Sequence, residues 1–134
     1  MREILFRGKD FSGVINHSWC FGSLDTTEDD RAIIIYLDRF GNKCQIFVNP
    51  ETVGQYAGFK DKNGTKIFEG DIVKRFWFGK MCLYQIDYDN GLASFIGRAG
   101  MKFTTFDYDS AEFEVVGNIH DNPGLLRGND NAER

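Results

Sequence analysis

From Thr52 to Lys74 the chain reads TVGQYAGFKDKNGTKIFEGDIVK, and two tight turns fall within those 23 residues. Asp61-Lys62-Asn63-Gly64 holds the first: Asn63 and Gly64 both tolerate positive φ, and a turn built on them has a twist that matches two flanking strands. Glu69-Gly70-Asp71 holds the second, with Gly70 expected at positive φ. No helix of ordinary length fits between turns so close. The segments Gln55–Lys60, Thr65–Phe68 and Ile72–Phe78 are therefore strands, and Asn63, Gly64 and Gly70 are structural turn residues.

The same spacing of turn signals continues on both sides. EILFRGKD is a first strand and Val14–Leu24 a second, with Trp19 and Phe21 one residue apart on a shared face. The run AIIIYLD (Ala32–Asp38) reads as a strand buried on both faces, and the turn RFGNK returns it as Cys44–Val48. Asn49, Pro50 and Glu51 suit one short helical turn: Asn49 caps it, Pro50 fills the first position and Glu51 meets the positive end. In CLYQIDY, Cys82, Tyr84, Ile86 and Tyr88 share a face, Asp89-Asn90-Gly91 turns the chain, and Leu92–Ile96 pairs back. Gly97–Lys102 reads as a loop, and Phe103–Tyr108 as a strand or an irregular packed crossing. Glu112–Ile119 alternates with Phe113, Val115 and Ile119 inward and Asn118 outward, and Leu125 and Leu126 tuck against the body.

The expected fold is all-β: about nine or ten short strands forming a small barrel or two small packed β lobes, with little helix. The division falls at an N-terminal lobe 1–49, a central and C-terminal barrel-like lobe 50–126, and a flexible tail 127–134. A chain of 134 residues with 13 Phe has the apolar surface for a packed interior. Cys20, Cys44 and Cys82 lie far apart with no metal-type spacing, which predicts reduced thiols and a cytoplasmic setting. The N-terminus carries no apolar run of signal-peptide length, no stretch is long enough to span a membrane, and a soluble protein is expected.

Three stretches together resemble the YopX family of small bacteriophage and prophage proteins. They are the central TVGQYAGFKDKNGTKIFEGDIVK, FRGK at 6–9 with WCFGSL at 19–24, and VVGNIHDNPGLL at 115–126. The chain departs from the family pattern at Ala57-Gly58-Phe59, where Thr-Gly-Leu is more usual, and at His120, where Tyr is usual. The resemblance implies a phage-derived, largely β protein of uncharacterised function, and brings no catalytic residues with it.

Little in the sequence carries chemistry. His17 and His120 stand far apart in the chain, and His120 sits among turn residues where a structural role is favoured. The acidic loop DTTEDDR (25–31) lacks the glycine and terminal glutamate of a calcium loop and reads as a solvated connection. Asp87 with Asp89, Asp107 with Asp109, and Glu112 with Glu114 are spaced to share a strand face, which a hard metal could use and a solvated outer face explains equally. The expectation is no enzyme, no cofactor and no metal.

The stretch Lys74-Arg75-Phe76-Trp77-Phe78-Gly79-Lys80 stands out, in the region 54–86, which has six basic and three acidic side chains within a chain of net charge -4. Lys74, Arg75, Trp77 and Lys80 are the candidate binding residues. Interleaved cations and aromatics suit single-stranded nucleic acid, and Trp with Arg suits a protein hot spot. The plainer reading puts Phe76 and Phe78 in the core, leaves only Trp77 exposed, and assigns the cations to edge protection. The expected function is that of a non-catalytic phage-type interaction module, a homo-oligomer that binds a phage or host protein; the alternative is a nucleic-acid accessory protein using 74–80.

Overall fold

A computed structural model describes residues 1–106 and 112–126, the side chain of Trp77 excepted. Among the described residues eleven strands form two open antiparallel sheets, so the two-lobe form of the expectation holds and the closed barrel does not. The chain divides into two compact units, Met1–Tyr56 and Ala57–Arg134. The proposed tail, 127–134, lies outside the described residues.

In the first unit the strands are β1 (Phe6–Lys9), β2 (Trp19–Thr26), β3 (Ala32–Leu37), β4 (Lys43–Val48) and the start of β5 (Gly54–Lys60), in the order β4-β3-β2-β1-β5. The hairpin read from AIIIYLD forms as expected, with Ala32 opposite Val48 and Leu37 opposite Lys43. Cys20, Ala32, Ile34, Ile46 and Val48 make the core, which Phe6, Ile15, Leu24, Tyr36 and Val53 cover. β3 is not buried on both faces: Ala32 and Ile34 are buried, while Ile33 and Ile35 on the opposite face are half-buried and Leu37 is exposed.

Strand β2 begins at Trp19 rather than Val14. The preceding residues are drawn into turns by the buried Asp10, whose carboxylate accepts from Ser12 N, Ser12 Oγ and Ile15 N at 3.0, 2.8 and 2.7 Å. His17 Nδ1 lies 2.9 Å from Asp10 O, and Asn16 and His17 take positive φ. Local side-chain bonds of this kind compete with strand formation. Further on, Pro50–Thr52 is a single 3-10 turn capped as expected, Asn49 Oδ1 accepting from Glu51 N at 3.1 Å.

The second unit takes the end of β5 with β6 (Lys66–Phe68), then β7 (Asp71–Trp77), β8 (Lys80–Asp89), β9 (Ser94–Ala99), β10 (Lys102–Thr105) and β11 (Glu114–Asn118). Its five-stranded sheet has the order β10-β9-β8-β7-β11. Ile67, Val73, Tyr84, Ile86, Ala99 and Phe113 form its core. Phe113 and Tyr84 meet edge to face at 6.0 Å, a geometry that adds to the roughly 1.5 to 3 kcal/mol such a ring gains by burial.

The turn at 61–65 is tighter bound than its Asn-Gly implied. Gly64 has φ +81°, but Asn63 is not at positive φ. Gly64 N donates to Asp61 O and Asp61 N to Thr65 O, a turn followed by a glycine bulge. The buried Asp61 carboxylate imposes this by accepting from Asn63 N and Thr65 N, each at 2.9 Å, and from Val115 N at 3.0 Å. Gly70 is at φ +88° as expected, with Phe68 N donating to Asp71 Oδ2.

The alternation read for Glu112–Ile119 fails midway. A bulge between Val115 and Gly117 shifts the register against β7, exposing Val116 and burying Asn118. Asn118 Oδ1 then accepts from His120 N and Asp121 N. A Cβ on Gly117 would lie 2.5 Å from Asn122 Oδ1 and 2.9 Å from Leu125 Cδ1, so any other residue here would have to displace those side chains.

Candidate functional site

The candidate residues lie on the β7–β8 hairpin. Its register runs from Ile72 opposite Gln85 to Trp77 opposite Lys80, which leaves Phe78-Gly79 as the whole loop. Both loop residues have positive φ, +50° and +77°, the conformation of a two-residue hairpin turn that fits strand twist. Sequence reading took Phe78 as the end of a strand; Gly79 was the one signal of a turn there.

Alternation along the hairpin sets Lys74 on the face opposite to that of Arg75 and Lys80. Lys74 Nζ pairs with Glu114 Oε2 at 3.1 Å, and Lys62 Nζ approaches the same carboxylate at 3.8 Å. The hydrogen bond from Lys74, ahead of the opposing effect of burial, holds the Glu114 carboxyl below its ordinary range. Arg75 points to the opposite face, its guanidinium 4.9 Å from the Phe113 ring centre and 5.4 Å from that of Tyr84, with Nη2 donating to Tyr84 Oη at 3.2 Å. Burial pushes the Tyr84 phenol up, against the pull of Arg75. Lys80 is exposed at the hairpin end, and Trp77 Cα pairs with it; the exposure of the Trp77 side chain lies outside the description. Lys74 and Arg75 therefore share a hairpin but face opposite sides of it.

What the hairpin end presents is apolar. Phe76 is 67% exposed, Phe78 90% and Met81 50%, and Phe76 stands opposite Met81. The expectation that Phe76 and Phe78 face the core is overturned. The core ends at Val73 and Tyr84, and the hairpin continues beyond it into solvent.

The paired carboxylates have partners instead of a common focus. Asp87 and Asp89 both bind Arg98, at 3.0 and 2.8 Å, while Glu114 serves Lys74 and Glu112 is exposed. Asp107 and Asp109 lie outside the described residues. In the 25–31 loop Asp29 accepts from Thr27 Oγ1 and pairs with Arg31. Among the described residues no three His, Cys, Asp or Glu side chains converge as metal ligands, and no helix is long and apolar enough to cross a membrane.

The protein these features define is a small two-unit, all-β protein with an exposed aromatic hairpin. The chain belongs to the YopX family: the family model described as YopX protein matches residues 6–127. This family is associated with phages and prophages and has no known function. No curated protein matches the chain. Among solved structures, the crystal structure of protein EF1440 from Enterococcus faecalis is similar over 94% of this chain and 99% of that one, with a TM-score of 0.57 and 22% identity, a likeness of fold alone.

Proposed function

We propose that the chain is a non-catalytic phage or prophage interaction module, working in the cytoplasm of a bacterial host, that associates with itself and with a phage or host protein through the end of the β7–β8 hairpin. One observation carries this reading: Phe76, Phe78 and Met81 stand exposed together where a polar hairpin end would be cheaper to solvate. Aromatic and methionine side chains are the residues enriched in protein contacts.

The nucleic-acid alternative draws less support. The charge of Lys74 is matched by Glu114, and Arg75 lies against Tyr84 and Phe113, so the cation row read from the sequence is dispersed. The test is sedimentation velocity over a wide concentration range, on the parent chain and on Phe76→Ser with Met81→Ser. Association that the double variant abolishes supports the proposal. A parent chain that remains monomeric throughout overturns its self-association. A profile of proteins captured from host lysate that does not change in the variant overturns the binding role of the hairpin.

A further inference from the structure

The first unit carries an apolar pocket of about 190 Å³, lined by Phe11, Ser12, Arg31, Phe47, Val48 and Pro50. Strand pairing gathers these residues from separate parts of the chain. Phe11 N donates to Phe47 O at 2.9 Å and Asp10 bridges Val48, so the segment after β1 lies along the end of β4. Arg31 directly precedes β3, where Ala32 stands opposite Val48, and its guanidinium lies 4.7 Å from the Phe47 ring centre. Pro50 begins the 3-10 turn that follows β4.

Size and charge narrow what fills this pocket. An apolar cavity of about 150 Å³ admits benzene, so there is room here for a single phenyl ring and for little more. The surroundings are acidic: Asp29 balances Arg31 at 3.0 Å, while Asp30 and Glu51, the sequence neighbours of Arg31 and Pro50, are both exposed. A suitable occupant therefore presents one protruding aromatic ring with a cation close by.

The end of the β7–β8 hairpin has that form. Phe78 is 90% exposed on the two-residue turn, and Lys80, two residues on, is exposed as well. From Ile72 to Tyr84 the hairpin has three cations and no carboxylate. Phe76 and Met81, opposite one another, add apolar surface behind the ring, and Phe11, 68% exposed, adds it at the pocket mouth.

We infer that the β7–β8 hairpin of one copy docks in this pocket of a second copy, Phe78 filling the cavity and Lys80 meeting Asp30 and Glu51. The inference rests on the self-association proposed above and names the surface that receives the hairpin. Unlike a hairpin-to-hairpin contact, it joins two different surfaces, and mixing variants separates the two arrangements.

The test is sedimentation velocity of the full chain and of two variants at exposed positions, Phe78→Ser in the hairpin and Phe11→Lys at the pocket mouth, with near-ultraviolet circular dichroism showing the fold retained. Each variant alone should associate at least about tenfold more weakly than the parent, as expected of an aromatic at the centre of a contact. An equimolar mixture of the two should form a one-to-one complex at concentrations where each alone is monomeric, since one supplies an intact pocket and the other an intact hairpin. Lys80→Glu should weaken association severalfold, and a chain that also carries Asp30→Lys and Glu51→Lys should recover it. If Phe11→Lys associates as the parent does while Phe78→Ser does not, the inference is overturned and the role of the hairpin stands; a mixture that stays monomeric likewise overturns it. A parent chain that stays monomeric, or association that neither variant weakens, overturns both.

Discussion

Phe78 holds a backbone angle of +50°, which costs a residue with a Cβ about 1 to 2 kcal/mol, and its side chain returns little by burial because it is 90% exposed. Glycine would hold this turn at lower cost, so the turn itself does not call for a phenylalanine. Phe78→Gly should therefore raise stability by about 1 kcal/mol in urea denaturation, while weakening any association through the hairpin end. A loss of stability instead would mean that the ring contributes to packing and that the proposed role is misplaced. Asp61 shows the opposite case, a polar side chain that is almost wholly structural. Its carboxylate satisfies three backbone N–H groups, and Asp61→Ala should cost about 3 kcal/mol by leaving them without it. A change under about 0.5 kcal/mol would show that water takes over those bonds.

At the scale of elements, most of the strands could be read in the sequence, because turn residues punctuate alternating segments at intervals too short for helices. Gly64, Gly70 and the Asn49-Pro50 turn needed only local chemistry, and each has the expected conformation. The errors have a common cause in non-local contacts. Phe76 and Phe78 looked like core because they are aromatic, yet how far the core extends along a hairpin depends on what packs across it. The bulge at Val115–Gly117 arises from the fit of Gly117 against Asn122 and Leu125, which no periodicity reveals. The site was legible only as a stretch: the sequence marked 74–80, while the pairing of Arg75 with Tyr84 and of Lys74 with Glu114 required the register.

For the whole molecule the clearest prediction is acid sensitivity. Glu114, held by Lys74, and Asp38, held by the backbone N–H of Asn42, are both shifted below their ordinary values. For Asp10, burial alone would raise the carboxyl, and the bonds from Ile15 and Ser12 outweigh it. A carboxyl depressed in the folded state contributes stability that is complete above its unfolded value, about 4, and is lost as pH falls through the folded one. The melting temperature should therefore stay level from pH 7 to about 5 and drop below about 4, with a shallower drop in Glu114→Gln. A melting temperature that rises on acidification would contradict the assignment.

The Asp61 clasp also sets an order of events in time. Val115 N and Phe113 O reach back 54 and 51 residues to close on the Asp61–Lys62 corner, so this corner cannot be completed until synthesis has passed Val115. Closing so long a loop is slow and comes late. In stopped-flow measurements Asp61→Ala should mainly accelerate unfolding and leave the folding rate nearly unchanged, as expected of contacts made after the transition state; a slowed folding rate would place the clasp in the nucleus instead. Chains released before β11 emerges should lack this lock, and their second unit should be the part most open to proteolysis.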